Sequence, residues 1–309
     1  FPRIAYKESI LKYGTDKPDL RNPLYIIDLS EFFKQCTFKP FINRTVRAIK
    51  VNKHLSKGFH EKMLEYAISL GMPGLGYLEV QEDMSLKGPI DKFIPVDLKK
   101  ELIKIADLKS EDTIFFIANN EKRAAELAGQ IRTELGKRLE LIDENSFQFA
   151  WIVDFPMYEL EEDEKITFCH NPFSMPQGGM EALLTKNPLE ILAYQYDVVC
   201  NGIELSSGAV RNHDPEIMVK AFEIAGYTKK DIEEKFSALF NAFQYGAPPH
   251  AGIAPGVDRM LMLLTDAENI REVIAFPMNS KAEDLMMGAP GFVTKEQLRE
   301  LNIRITETK

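Results

Sequence analysis

The sequence predicts an α+β fold, in which a β-hairpin and amphipathic helices accompany a separate, smaller α+β unit. Three observations carry that expectation. Asn201-Gly202 sits between two β-rich runs, YQYDVVC and IELSSGAVR, the signature of a two-residue hairpin with a type I′ turn. Asn120 to Gly136 carries the apolar stripe Ala124, Leu127, Ala128, Ile131 and Leu135 of an amphipathic helix. Between residues 25 and 119, strand-like and helix-like patterns follow one another as a separate small unit. At 309 residues, with 45% hydrophobic and 28% charged, the chain can bury a sizeable core and is not of disordered composition.

Several function classes drop out early. The apolar runs are far shorter than a membrane span, so no membrane partner is expected. FPRIAYKESI has no signal-type apolar core, and its lack of an initiator Met raises the expectation of a fragment. Cys36, Cys169 and Cys200 are odd in number and widely spaced, which predicts a reducing, cytoplasmic setting without a zinc site. A net charge of −9 gives no support for extensive RNA contact by this chain alone, although a local basic patch is compatible with it.

Taken in order, Phe1 to Tyr13 reads as a short helix stopped by Gly14, followed by the turn-rich GTDKPDLRNP. Arg44 to Val51 alternates as a strand. Ser56 to Leu70 has helical spacing with Phe59, Met63, Tyr66, Ala67 and Leu70 on one face and Gly71 as its stop. GMPGLGY matches neither G-x-x-x-x-G-K-[ST] nor G-x-G-x-x-G and is read as a turn. Leu75 to Val80, a helix over Val96 to Ala106 and a strand over Thr113 to Ile117 complete the small unit. His54 and His60 are six apart, a poor spacing for shared ligation on a helix, and are expected at the surface. Asn120 is the expected N-cap of the next helix and Gly136 its stop. Phe147 to Phe155 reads as a buried strand holding Trp151. A short strand leads into the loop with His170. Asp214-Pro215 starts a helix to about Ala225, a second covers Lys229 to Gln244, and Thr294 caps a last one to Leu301.

The hairpin has chemical content. A two-residue turn places Cys200 opposite Ile203, Val199 opposite Glu204 and Val198 opposite Leu205. By the period of two, Asp197 then shares a face with Glu204. Two diagonal carboxylates, ~7–8 Å apart at the backbone, would be relieved by a hard cation such as Mg²⁺ completed by phosphate oxygens. The other face, with Tyr196, Val198, Cys200, Ile203 and Leu205, is expected to be the packed one, leaving the acids on a wet face. Two solvated acids on an exposed sheet face would give the same pattern.

Gly246 to Leu264, GAPPHAGIAPGVDRMLMLL, begins as a glycine- and proline-spaced loop. It passes into an apolar helix, expected to be buried, whose first turn holds Val257, Asp258 and Arg259. Backbone N–H groups there favour an anion, and Arg259 could stack on a ring and reach a phosphate; a surface ion pair is the plainer alternative. The wording resembles motif 3 of class II aminoacyl-tRNA synthetases. With NIREVIAFP after it, the string is similar to the bacterial aspartyl-tRNA synthetases. YGTDKPDLR resembles the segment after motif 2 in those enzymes, and HNPF resembles their H-x-P-F segment.

The resemblance implies ATP and Mg²⁺ as cofactors, and L-aspartate and tRNA(Asp), with tRNA(Asn) possible, as partners. A homodimer is implied for the full-length protein. Asp197 and Glu204 would hold Mg²⁺, with Glu204, Gly256, Val257, Asp258 and Arg259 on ATP and Arg259 at the triphosphate. His170 and Arg211 would bind aspartate, while Asn171 is left without a role. Strict alternation puts Arg211 on the face opposite Glu204. A β-bulge within Ser206-Ser207-Gly208 is therefore expected to slip the strand by one residue. The implied organisation is a catalytic domain in two segments, 1–24 and 120–309, around an inserted domain at 25–119 of the kind shared with a tRNA-dependent amidotransferase subunit. The anticodon-binding domain and motifs 1 and 2 would precede Phe1. The antiparallel, helix-flanked sheet that the resemblance implies would then be incomplete, and the 309 residues alone would not aminoacylate. A non-catalytic nucleotide- or tRNA-associated paralogue is the alternative, and an amidotransferase-type tRNA partner is a further one.

Overall fold

The structure, a computed structural model, describes residues 1–161 and 163–306. The chain forms two compact units, Phe1–Pro255 and Gly256–Lys309. Among the described residues no helix is long and apolar enough to cross a membrane.

The first unit opens on β1 (Arg3–Ala5), where a helix from Phe1 was expected. The reason is tertiary: β1 pairs in parallel with Trp151–Val153, a partner that no local pattern reveals. The helix itself is α1 (Tyr6–Tyr13), stopped at Gly14, whose φ of 73° is a left-handed cap.

Next come β2 (Ile26–Asp28), α2 (Ser30–Phe33), β3 (Thr45–Val51), α3 (Lys57–Ser69), β4 (Gly76–Val80), β5 (Leu86–Lys87), α4 (Val96–Ile105) and β6 (Thr113–Asn119). Their strands form one antiparallel sheet, ordered β2-β3-β6-β4-β5. Its central strands are apolar on both faces because both faces are covered. Val46, Ala48, Ile114 and Phe116 pack on one side, and Ile49, Val51, Phe115 and Ile117 on the other. His60, expected at the surface, is instead 7% exposed. Its ring stacks on Tyr77 at 3.8 Å and its Nε2 lies 2.9 Å from Glu79 Oε1. His54 is exposed as expected.

α5 (Glu121–Arg138) starts where Asn120 accepts a hydrogen bond from the Arg123 N–H. It packs Leu127, Ala128, Ile131 and Leu135 against the β3–β6 core. Gly136 does not stop it. A Cβ there would lie 2.3 Å from Asn22 Nδ2, so the glycine serves close packing rather than termination.

The second sheet of this unit joins β1 to strands that follow α5. Here lie β7 (Phe149–Pro156), the small ribbon β8 (Tyr158–Leu160) and β9 (Ile166–Phe168), α6 (Gly179–Thr185), β10 (Leu192–Cys200) and β11 (Ile203–Val210). Then come α7 (Pro215–Ile224), α8 (Lys229–Lys235), α9 (Ser237–Phe243) and β12 (Ala251–Pro255). The strand order is β1-β7-β10-β11-β12. Asp214 caps α7 through the Glu216 and Ile217 N–H groups, with Pro215 just inside. The single helix expected over 229–244 breaks at Phe236, whose φ of −127° is not helical. That ring is committed to an aromatic cluster with Phe173 and Phe222, at 5.2 and 5.6 Å.

The hairpin turn takes the expected form: φ is 51° at Asn201 and 84° at Gly202, both positive as type I′ requires. Asn201 also ties the turn to the start of β7, accepting from the Gln148 N–H at 2.9 Å and donating to Ser146 O at 3.0 Å. Asn201→Ala is expected to cost about 2 kcal/mol, from the strained φ and two lost hydrogen bonds. Urea titration of wild type and variant would check it; a change below about 0.5 kcal/mol would count against the turn's role.

The second unit holds α10 (Val257–Thr265) and α11 (Lys295–Glu300), the latter with a full capping box from Thr294 and Gln297. The expectation that Met260–Leu264 is a buried helix fails here: no residue of α10 is buried, and Leu264 is 71% exposed. No strand occurs among this unit's described residues, so its own chain offers no sheet to cover that stripe.

Candidate functional site

The carboxylates meet on the β10–β11 hairpin. Cys200 pairs with Ile203 and Val199 with Glu204, as the turn dictates. Val198 then pairs with Ser206, not with Leu205, which is left without a ladder partner. The expected slip therefore exists, but it sits at Leu205 rather than within Ser206-Ser207-Gly208. Beyond it Asp197 faces Ser207 and Gln195 faces Ala209. The consequence is the one the chemistry needs: Glu204, Asp197, Ser207, Ala209 and Arg211 all belong to one face.

Arg211 lies just past β11, held by a bridge to Ser174 and by its N–H to His250 O at 2.9 Å. Its guanidinium runs across Gly252 of β12. A Cβ on that glycine would be 3.4 Å from Nη2, and Gly252 pairs with Ala209 on the acid face. A Cβ there would sit in ordinary van der Waals contact with the guanidinium, so the arginine lies directly over this position. On the other face, Tyr196 lies over Gly208 and its hydroxyl donates to Gly252 O at 3.2 Å, pinning β12 beneath the arginine.

The exposure of the two faces is the reverse of the expectation. Asp197 is 3% exposed and Val199 fully buried, whereas Tyr196 and Val198 are half-buried and Tyr194 is exposed. The acid face is roofed by α1 and the chain after it: Tyr6, Tyr13 and Leu20 pack over Ile152, Phe155 and Val199. Cys200 and Leu205 on the other face are buried as expected.

Burial sets the electrostatics. It pushes the Asp197 carboxyl up to about 6, and the neighbouring charge of Glu204 adds to the rise. The Ser207 side chain and Lys17 offset part of it. Asp197 Oδ1 is buried with no hydrogen-bond partner among the described residues. An orphaned, reluctantly ionised carboxylate oxygen beside a second carboxylate suits a hard divalent cation that accepts oxygen ligands. No group of three or more His, Cys, Asp or Glu among the described residues could hold a metal. A cation here would therefore take these two acids and fill its shell with water or phosphate oxygens.

Lys17 is a member of the site that the sequence did not mark. Its Nζ is 2.6 Å from Asp16 Oδ2 and 3.5 Å from Glu204 Oε2. Burial works against its charge, but the Asp16 hydrogen bond and the Asp16 and Glu204 charges outweigh that and hold its pKa above the ordinary value. GTDKPDLR carries turn chemistry and a family resemblance without a site role; nothing in it shows that its lysine reaches a hairpin so far along the chain.

His170 is exposed overall, yet its ring stands between Tyr6 at 5.9 Å and Phe155 at 5.0 Å. That crowding lowers its pKa, against the opposing charges of Asp16, Glu159 and Glu204. The shift favours the uncharged imidazole, which can both donate and accept a hydrogen bond. Asn171 gains a structural role: its Oδ1 accepts from the Phe173 N–H at 2.9 Å and turns the loop. Gly256, Val257, Asp258 and Arg259 lie in the second unit. There Gly256 is the N-cap residue of α10, and Asp258 and Arg259 are exposed in its first turn.

The family model described as tRNA synthetases class II (D, K and N) matches residues 1–280. Among curated relatives, the Aspartate--tRNA(Asp/Asn) ligase of Ehrlichia chaffeensis is 52% identical over 99% of this chain and 53% of its own length. The Aspartate--tRNA(Asp/Asn) ligase of Zymomonas mobilis is 54% identical, over 99% of this chain and 52% of its own length. That of Rickettsia felis is 51% identical with the same coverage as the Ehrlichia protein, 99% and 53%. The chain spans about half the length of the curated relatives it matches.

Proposed function

The chain belongs to the class II tRNA synthetases (D, K and N), and within that family we propose that it is the main catalytic part of a cytoplasmic aspartate–tRNA ligase. The observation that carries this choice is Arg211, laid across Gly252 on the face of Asp197 and Glu204. In a family divided among aspartate, lysine and asparagine, a fixed guanidinium selects a side-chain carboxylate. It repels an ammonium and gains far less from a neutral amide.

In the proposed reaction the α-carboxylate of L-aspartate attacks the α-phosphorus of ATP and pyrophosphate leaves; a hydroxyl at the tRNA 3′ end then takes the aspartyl group from the adenylate, with AMP as the leaving group. Arg211 receives the side-chain carboxylate, and His170 bounds the amino acid. Asp197 and Glu204 would hold Mg²⁺, which supplies charge neutralisation to phosphate oxygens. Lys17 keeps Glu204 compensated when the phosphates are absent. Gly256 to Arg259 would take ATP, with Arg259 at the triphosphate and the N-terminal turn of α10 favouring its negative charge. No side chain acts as a nucleophile; positioning and charge neutralisation do the work. tRNA(Asp) is the proposed acceptor, and the relatives' printed names add tRNA(Asn) to it. We also propose that residues 25–119 are a domain inserted between catalytic segments 1–24 and 120–309, and that the full-length protein is a homodimer.

The test is ATP–pyrophosphate exchange by the full-length protein with aspartate, asparagine and lysine in turn. Aspartate is expected to support exchange at least about 10³-fold better in kcat/KM than either competitor, since a site built for a charged group rejects its analogues strongly. Comparable exchange with asparagine or lysine would overturn the proposal.

A further inference from the structure

Arg132 is 1% exposed, at the centre of α5. Among the described residues its guanidinium bonds to main-chain carbonyls and to no carboxylate. Nε donates to Leu24 O at 2.6 Å, and Nη2 donates to Asp19 O at 3.0 Å and to Asn22 O at 2.7 Å. Its plane lies over the Tyr13 ring, 5.0 Å from the centroid. Asn22 Nδ2 answers by donating to Arg132 O at 2.9 Å, while Asn22 Oδ1 accepts from the Leu24 N–H at 3.1 Å. A buried cation is a costly way to fill space, since an apolar side chain of the same volume keeps the packing without the desolvation. What the guanidinium adds is a rigid fork that fixes several main-chain carbonyls at once.

Those carbonyls belong to the segment that reaches the carboxylates. Gly14 and Gly129 bring the end of α1 against α5: a Cβ on Gly14 would lie 2.3 Å from Ala125 O, and one on Gly129 2.8 Å from Gly14 O. From that anchor the chain turns through Thr15, whose hydroxyl accepts from the Lys17 N–H at 3.1 Å, and presents Lys17 to Glu204. It passes under the hairpin turn, where a Cβ on Gly202 would be 3.6 Å from Asp19 Cβ. Asp19 and Arg21 close it with a two-pronged ion pair, Arg21 Nη2 to Asp19 Oδ2 at 2.8 Å. Arg132 holds the far side of this arc, and Glu204 meets its near side.

We propose that Arg132 is a positioning residue for the carboxylate site: its fork on the Asp19, Asn22 and Leu24 carbonyls fixes the segment that sets Lys17 against Glu204. The inference rests on the proposed ligase reading for its kinetic consequence, but not for its structural one. It assigns a site function to the helix that also packs on the β3–β6 sheet.

The test uses the full-length protein with Arg132→Lys, which keeps charge and loses the fork, and Arg132→Met, which keeps bulk and loses the donors. Amide hydrogen exchange is expected to quicken tenfold or more at residues 15–24 and 201–206, with α5 and β3–β6 unchanged. In ATP–pyrophosphate exchange at limiting Mg²⁺, Arg132→Lys is expected to lower kcat/KM for ATP about tenfold in the wild-type background. In a Lys17→Met background the same change should cost less than twofold, because Arg132 acts through Lys17. Unchanged exchange at 15–24, uniform loosening of the whole unit, or additive kinetic losses would each overturn the proposal. If the wild-type protein shows no aspartate-dependent exchange, the ligase reading falls and the amide data alone decide the clamp. Should both substitutions unfold the protein, Asn22→Ser removes another strut of the same clamp and takes the same two readouts.

Discussion

Replacing Arg211 with Gln is expected to lower kcat/KM for aspartate in pyrophosphate exchange by about 10³-fold or more, with folding intact. The size follows from what is left behind. The substrate carboxylate would enter a covered face already carrying Asp197 and Glu204, with its cationic partner gone. Leaving one member of a desolvated charge pair alone costs ~2–5 kcal/mol, of which much is the penalty on the survivor. Folding should tolerate the change, because the guanidinium lies along a glycine and the main chain of Arg211 keeps its bonds to Ser174 and His250. Arg211→Lys should fall between, at roughly 10²-fold, since it keeps the charge and loses the two-pronged geometry. The discriminating measurement is the aspartate-to-asparagine ratio. It should shrink in Arg211→Gln, because the two side chains then differ by a charge that nothing reads. A loss below tenfold, or an unchanged ratio, would mean that another group recognises the side chain.

That arginine also shows what local sequence could and could not reveal. Asn201-Gly202 determines the turn, and the turn determines Val199 opposite Glu204, because both steps depend only on neighbouring residues. The need for a slip before Arg211 follows from the role that the family resemblance implies for that residue, not from the local pattern. The glycine in Ser206-Ser207-Gly208 makes that run the expected place, and the slip sits instead at the buried Leu205. Alternation assigned the two acids to one face without saying which face would be covered. The cover is α1 and the chain after it, nearly two hundred residues away in sequence, so the acid face was mistaken for the wet one. Lys17 was missed for the same reason. Strand β1 and the buried His60 likewise depend on partners that a local pattern does not contain.

Asp197 should behave as a group that ionises at the expense of the fold and is recovered by metal. Its carboxyl titrates at about 6 in the folded chain, above the ordinary 3.8. A raised folded pKa means that the native state holds a proton the unfolded chain has already released. Its contribution to stability is therefore complete below about 3.8 and lost as pH rises through about 6. Without Mg²⁺, melting temperature should carry a downward component across that window. Metal binding must displace the proton, so apparent Mg²⁺ affinity should rise about tenfold per unit up to pH 6 and level off above it. The added stability from Mg²⁺ should correspondingly be larger at pH 7.5 than at pH 5. Asp197→Asn removes the titration and most of the site together. At pH 7.5 without metal the variant should melt no lower than wild type, since an amide is nearly isosteric and pays no ionisation cost. Mg²⁺ should no longer raise its melting temperature, and pyrophosphate exchange should drop by about 10²–10³-fold. A variant at least as stable as the parent and nearly inactive would locate the strain of the buried acid pair in function. A variant that melts well below wild type, or still responds to Mg²⁺, would show Asp197 to be a structural acid and move the cation elsewhere.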